Sequence, residues 1–373
     1  MSIRVLHIIP TLDLGGAEKQ LVLLARGLPR DEFDTQVCCL TRGGPREAEL
    51  REAGISAEVI GKRHKVDPVA YRRLKNHIRD VQPDIVHTWL FAGNAYGRKA
   101  ALAAGVEHIV AGERCVDRWK RWPQFVIDRY LAKRTDAIVT NAEGVRDFYA
   151  AHGIPAGKFH IIANGVEVPP AMSSSQQKDT REEILNELGL PADTQLIGAV
   201  GRLWPQKNYK HLLWAMCLLK EIRQDFHLLI FGEGPHRWRL ERYGRQVQIL
   251  GEHVTLMGER DDAARFLPAM CCYINASEYE GQSNGIMEAM ACGLPVVASD
   301  IPGNRDLVVD NVTGSLVELG DRAEIARRVN SLLDDPALAA EQGAAGRRRM
   351  EDEFSVRHMV EAHARLYRGL ASA

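Results

Sequence analysis

The sequence predicts an α/β protein made of two doubly wound units, each a parallel sheet with helices on both faces. Three observations carry that expectation. The chain has 373 residues, more than one core of ordinary size organises. Short β-branched, apolar runs alternate with longer stretches of helical periodicity, the pattern of successive βαβ units. The alternation breaks once, at Pro169-Pro170, Ser173-Ser174-Ser175 and Gln176-Gln177, which read as a linker or surface loop after a boundary. Hydrophobic content of 45% and charged content of 26% exclude disordered, collagenous and coiled-coil classes.

In the first unit, residues 1–168, strands are expected at 3–11, 34–41, 55–62, 84–90, 108–114, 137–141 and 159–163. Helical patterns lie between them at 17–27, 68–81 and 92–104. In the second, residues 169–355, strands are expected at 196–201, 227–231, 254–257, 272–275, 295–299 and 314–319. A last helix is expected at 356–370, with Met359, Ala362, Leu366 and Tyr367 available for one face. Two consecutive Rossmann-like units imply a cleft between them, and ligands of such sheets sit at the carboxyl ends of the strands.

The apolar start stops at Pro10, too early to span a bilayer and with no small-residue cleavage site after it, so it reads as a buried first strand. No other segment has about 18 uninterrupted apolar residues, so no transmembrane helix is expected. The seven cysteines have no metal-ligand spacing. Cys38/Cys39 and Cys271/Cys272 lie in strand-like runs, where neighbours face opposite sides. Buried thiols in a reducing cytoplasm are expected. Net charge is −1, yet residues 1–168 hold 25 Lys/Arg against 20 Asp/Glu and the remainder 23 against 29. The first unit is therefore the one to meet an anionic surface or acceptor. Nothing points to nucleic acid.

The candidate chemistry lies just after strands. Gly15-Gly16-Ala17-Glu18 opens the first helix, where small residues and helix N–H groups favour close approach of an anion; a plain tight turn explains two glycines as well. Gly201-Arg202-Leu203, with Lys207-Asn208 following, offers two cations that can converge on a diphosphate, or a solvated basic loop. Phe231-Gly232-Glu233-Gly234-Pro235 suits a sharp turn under a flat ligand. The most informative string runs from Ser277 to Pro295: a polar loop carrying Glu280, then a helix from about Asn284 carrying Glu288. Backbone N–H groups of Ser283, Asn284, Gly285 and Ile286 are placed to face a phosphate. Glu288 is suited to accept hydrogen bonds from two ribose hydroxyls. His87 closes the strand Asp84-Ile85-Val86-His87 and reads either as a sugar-binding group facing the cleft or as a satisfied structural histidine. Asn141, Asn164 and Gly165 are turn formers and read as boundary geometry.

In this order, and over nearly the whole chain, these motifs resemble the retaining GT-B glycosyltransferases of family 4, also called group 1. Glu280 and Glu288 in an E-x7-E spacing, followed by Ala289-Met290-Ala291-Cys292-Gly293-Leu294-Pro295, are specific to that family and its near relatives. The resemblance implies a nucleotide-diphosphate sugar as donor, UDP- or GDP-linked, and a glycan or lipid-linked acceptor in cell-surface polysaccharide synthesis. It implies that Arg202 and Lys207 hold the diphosphate in place of a metal ion, so that neither metal nor cofactor is needed. Glu288 would bind the ribose, Glu280 the donor sugar, and Gly16 would face the phosphates from the other unit. Gly201, Gly232 and Gly234 would shape the donor pocket, and His87 would lie beside the sugar C6 hydroxyl. The last helix would return to the first unit. The sequence departs from many relatives at Ser283, where they carry Pro; a looser loop or an extra hydroxyl follows, and Gly285 adds mobility.

The basic, aromatic segment from Arg114 to Arg134, with Trp119, Trp122, Phe125 and Tyr130, reads as an ordinary amphipathic helix or as a peripheral membrane contact. A nucleotide-sugar epimerase or a sugar-nucleotide-binding protein without transferase activity is the competing function. A phosphorylase would need a pyridoxal-bearing lysine pocket that the sequence does not identify. A dehydrogenase is disfavoured because no GxGxxG follows the first strand.

Overall fold

A computed structural model describes residues 2–260 and 262–372. They fall into two compact units, Met1–Gly165 with Val356–Ala373, and Val166–Ser355. The first holds β1 (Ile3–Ile9), β2 (Phe33–Cys39), β3 (Ala57–Val59), β4 (Ile85–Trp89), β5 (His108–Glu113), β6 (Ala137–Thr140) and β7 (Phe159–Ile161). The second holds β8 (Gln195–Val200), β9 (Phe226–Phe231), β10 (Val254–Gly258), β11 (Cys272–Asn275), β12 (Val296–Ser299) and β13 (Gly314–Val317). The sheet orders are β3-β2-β1-β4-β5-β6-β7 and β10-β9-β8-β11-β12-β13. All neighbouring strands pair in parallel. Both sheets are the doubly wound α/β arrangement expected from the alternation. In each, the strand order reverses beside the first strand, between β1 and β4 and between β8 and β11. Such reversals leave a crevice at the carboxyl ends of the strands, where ligands bind.

Strand alternation decides which core each residue joins. In β2, Cys38 packs with Leu6, Ile8 and Val86 under the helices Pro68–Val81 and Leu90–Ala104. Its neighbour Cys39 packs on the other face with Val5, Ile9, Ile85 and residues of the closing helix Val356–Ala371. Local signals set the helix ends. Asp67 caps Pro68–Val81 by accepting from the Ala70 N–H, with Pro68 in the first turn, and Gln82 ends it in the left-handed region.

One expectation is corrected. The polar stretch after Pro169-Pro170 is not loop throughout: Ser173 caps a helix, Ser174–Leu188, through a capping box with Gln176. Ser-x-x-Gln is a helix-start signal, and it outweighs the linker-like composition. In the closing helix the buried residues are Met359, Val360, His363, Ala364 and Tyr367, whereas Ala362 and Leu366 are half-buried. Ala362 and Leu366 still pack against the same core as Met359 and Tyr367, as expected of that face, and the His363 ring joins them inside.

The first unit also buries a network of charges that hydrophobic patterning does not reveal. Lys120 donates to Asp128 at 3.0 Å, to Glu113 at 3.3 Å and to the Tyr149 hydroxyl at 2.8 Å. Arg98 donates to the other Asp128 oxygen at 2.9 Å and to the Asn94 carbonyl at 2.9 Å. Asn94 in turn donates to Glu113 at 2.9 Å and accepts from Thr88 at 2.7 Å. Lys120, Arg98, Asp128 and Glu113 are all buried. Burial alone would depress the Lys120 ammonium, but Glu113 and Asp128 together raise it. Burial raises the Glu113 carboxyl.

Candidate functional site

In the second unit the chain leaves β8 and β11 on either side of the strand-order reversal, and their loops meet there. After β8 come Gly201, Arg202, Leu203, Trp204 and a short 3-10 turn, Pro205–Lys207. After β11 come Ser277, Glu278, Tyr279 and Glu280, ahead of the helix Asn284–Ala291. Lys207 Nζ donates to Glu280 Oε1, which also accepts from Ser277 Oγ at 2.8 Å. The other oxygen, Oε2, accepts from Gln206 Nε2 at 3.1 Å. Backbone bonds tie the loops as well: Gln206 Nε2 donates to the Tyr279 carbonyl at 2.8 Å, and Glu278 N to the Gln206 carbonyl at 2.9 Å. The structure thus brings together Lys207 and Glu280, 73 residues apart. Gln206 and Ser277, absent from the candidate set, belong with them. Arg202 lies on the same loop, exposed, with its guanidinium 5.4 Å from the Trp204 ring.

The glycines of this unit are explained by backbone crowding. Gly232 has φ +140°, and a Cβ there would lie 2.1 Å from the Gly201 carbonyl oxygen. A Cβ on Gly234 would lie 2.5 Å from the Leu203 carbonyl oxygen. The turn after β9 is therefore pressed directly onto the loop that carries Arg202, and Leu203 N donates to the Glu233 carbonyl at 2.9 Å. Gly232→Ala must displace that loop, because backbone cannot give as a side-chain tip can. We expect a loss of about 2 kcal/mol in unfolding free energy, read by urea denaturation, together with weakened donor binding.

In the E-x7-E segment, Ser283 is buried and its hydroxyl accepts from Asn275 Nδ2 at 3.2 Å. It occupies the N-cap position without a side-chain capping bond. At Gly285 a Cβ would meet the Tyr273 hydroxyl at 2.3 Å and the Val200 carbonyl at 3.2 Å. Glycine lets the helix start sit against the end of β8, and Tyr273 OH bonds the Val200 carbonyl at 3.1 Å. Ile286 is fully buried and packs its side chain into the interior. Glu288 is half-buried in the second turn and acts electrostatically on Tyr273, whose hydroxyl burial already pushes up.

In the first unit, Gly15 is the N-cap and Gly16 the first residue of the helix Gly16–Gly27. A Cβ on Gly15 would meet only the Glu18 carboxylate, which can swing aside, so no backbone need demands glycine there. One turn on, the Gln20 amide clamps Gly165, donating to its carbonyl and accepting from its N–H, both at 2.8 Å. Asn164 accepts from Arg114 and, at 3.2 Å, from Asn141. The turn formers Asn141 and Asn164 are thus bonded directly to each other, and Arg114, a residue outside the candidate set, adds a second donor to the same Asn164 oxygen.

His87 requires a correction. It sits within β4, not at the strand's end, and is fully buried. Its Nδ1 is 2.6 Å from the Tyr367 hydroxyl and its ring stacks on Trp89 with centroids 4.7 Å apart. His7 lies beside it at 5.4 Å and His363 at 5.9 Å. The strand continues to Trp89 and the closing helix covers this face, so the histidine joins a core cluster. Burial is the main cause that holds all three rings neutral: His7 and His363 are each lowered to about 3, and His87 falls well below its usual value. The folded state therefore binds fewer protons than the unfolded chain below pH 6.5. Their stabilisation is complete above pH 6.5 and is lost as the pH falls from there toward 3. Each ring contributes a slope of up to about 1.4 kcal/mol per pH unit. Denaturation midpoints measured from pH 7 to 5 should fall more steeply for the wild type than for His363→Leu.

Two family models match the chain: "Glycosyltransferase Family 4" over residues 14–168 and "Glycosyl transferases group 1" over residues 194–335. The chain belongs to glycosyltransferase family 4. It is 29% identical over 314 residues to the alpha-maltose-1-phosphate synthase of Mycolicibacterium smegmatis, covering 77% of this chain and 78% of that one. It is 27% identical over 355 residues to the UDP-Gal:alpha-D-GlcNAc-diphosphoundecaprenol alpha-1,3-galactosyltransferase of Escherichia coli, covering 90% and 89%. The solved structure of HepE from Anabaena in complex with UDP-glucose superposes with a TM-score of 0.87 at 20% identity, covering 98% of this chain and all of that one. The family 4 enzyme described here therefore has the GT-B fold. Among its described residues no group of three or more His, Cys, Asp or Glu side chains is placed to hold a metal ion, and no helix is long and apolar enough to cross a membrane.

Proposed function

We propose that this family 4 enzyme transfers a hexose from a UDP-sugar, with retention and without a metal ion, to a glycan or lipid-linked acceptor of cell-surface polysaccharide synthesis. The meeting of Lys207 and Glu280 at the strand-order reversal of the second unit carries the proposal. As the bond between sugar C1 and the diphosphate oxygen breaks, negative charge grows on the leaving group. A lysine fixed beforehand by a carboxylate stabilises that charge with little reorganisation. Of its three N–H donors, one goes to Glu280. Arg202, on the same loop, supplies a second cation with a fork suited to phosphate.

Glu280 accepts from Lys207, Ser277 and Gln206, and so serves as a brace for the lysine. That engagement argues against a nucleophile or general base. Glu280 and Glu288 are accordingly no glycosidase pair. The acceptor oxygen attacks C1 on the face the diphosphate leaves, and its proton passes to the departing phosphate oxygen. Glu288 holds the ribose. His87, sealed in the core, acts on the first unit's packing and not on the sugar. The UDP preference is supported by the UDP-glucose complex of HepE and the UDP-Gal donor named for the Escherichia coli relative. The latter's diphosphoundecaprenol-linked acceptor supports the lipid-linked class.

Screening UDP- and GDP-sugars for donor hydrolysis with and without EDTA tests this. Turnover of a UDP-hexose that survives chelation is the expected result. Activity lost with EDTA would refute the metal-free reading, and no turnover of any donor would favour a binding protein.

A further inference from the structure

The two cations of the donor loop are held in different ways. Lys207 donates to a carboxylate, that of Glu280. Arg202 instead lies over a ring, its guanidinium 5.4 Å from the Trp204 centroid. Among the described residues no carboxylate is paired with it. The difference matters to a ligand with two phosphates. An ion pair occupies N–H groups for which a diphosphate must then compete. A ring takes the face of a guanidinium and leaves the N–H fork in its plane for phosphate oxygens. An arginine side chain on its own also explores many rotamers, which binding must freeze. A ring beneath it removes part of that cost in advance.

The ring is itself fixed from three directions. Leu203 is fully buried, so Arg202 and Trp204 on either side of it emerge together, with Trp204 43% exposed. Pro205 follows and disfavours a helical backbone at Trp204, which is extended at φ −128° and ψ 152°. His236, from the turn after β9, meets the Trp204 ring with centroids 5.6 Å apart. His236 N donates to the Leu203 carbonyl at 3.3 Å, so both rings are tied to one stretch of backbone. We infer that Trp204 is a positioning residue for the transfer: its ring presents the Arg202 guanidinium to the donor diphosphate. The turn after β9 reaches the phosphates through this chain of contacts, from His236 to Trp204 to Arg202.

The inference rests on the reading of Arg202 as a diphosphate ligand, and the two are separated by titrating UDP calorimetrically into the full chain in EDTA-containing buffer. Trp204→Leu should weaken UDP binding roughly two- to fivefold, the worth of one cation–π contact at a half-exposed site. Trp204→Phe keeps a ring face and should restore most of that affinity. Arg202→Ala should weaken binding at least as much as Trp204→Leu, and adding Trp204→Leu to it should cost nothing further. Circular dichroism and the denaturation midpoint of Trp204→Leu should match the wild type, since the side chain lies at the surface. Unchanged UDP affinity in Trp204→Leu, beside a loss in Arg202→Ala, overturns the inference and leaves the diphosphate clamp standing. A Trp204→Leu loss that persists in full in the Arg202→Ala background would mean that the ring touches the nucleotide itself, and overturns it too. UDP affinity unmoved by Arg202→Ala would remove the clamp reading of Arg202 and the inference with it.

Discussion

Lys207→Ala is expected to lower donor turnover at least roughly tenfold, the smallest loss consistent with removing one fixed charge from a developing diphosphate. The interaction strengthens as the C1–O bond breaks, so kcat and kcat/KM should fall together and KM should move little. Removing the lysine also leaves Glu280 without its cation beside Ser277 and Gln206. The denaturation midpoint must therefore be measured alongside the rate. A variant that remains folded yet keeps wild-type kinetics would show that the lysine does not meet the leaving group. Glu280→Gln retains the braces from Ser277 and Gln206 but loses the ionic hold on Lys207, so it should lower turnover by less than Lys207→Ala.

Lys120→Met should produce the largest stability loss. It removes the cation shared by Asp128, Glu113 and Asp117 at a position with no exposed side-chain surface. Deleting one partner of a buried ionic group leaves uncompensated charge and typically costs about 3–5 kcal/mol. Arg98 still holds one Asp128 oxygen, which places the loss toward the lower end of that range. Urea denaturation reads it directly. Neutralising Glu113 in the same background, as Lys120→Met/Glu113→Gln, should recover part of it. A full recovery would mean that Glu113 alone carries the cost, and no recovery would move it to Asp128.

The fold was legible because strand alternation is a local signal. Each expected strand is present, with ends trimmed where the apolar run outlasts its pairing: the 55–62 run pairs only at Ala57–Val59. The Lys120 network was not legible. Its members lie at 94, 98, 113, 120, 128 and 149, on four different elements and a loop, and each polar residue taken singly fits a solvated face. The donor-site candidates Lys207 and Glu280 were read separately from their loops, and the strand order alone makes those loops neighbours. Gln206 and Ser277 were within reach, one beside Lys207 and one three residues before Glu280, but neither carries a charge that draws notice. His87 was left open between a sugar-binding and a structural reading; what favours the structural one is Tyr367, 280 residues on, which comes back to cover it. Arg114 was passed over inside a segment read for its aromatic residues. Its bond to Asn164 depends on packing that no local spacing encodes.

Calorimetric titration of UDP into the protein in EDTA-containing buffer tests the donor site most directly. The account predicts that UDP binds without metal and that Arg202→Ala/Lys207→Ala weakens it by about tenfold or more. Binding that requires a divalent cation, or that the double variant leaves unchanged, would contradict it.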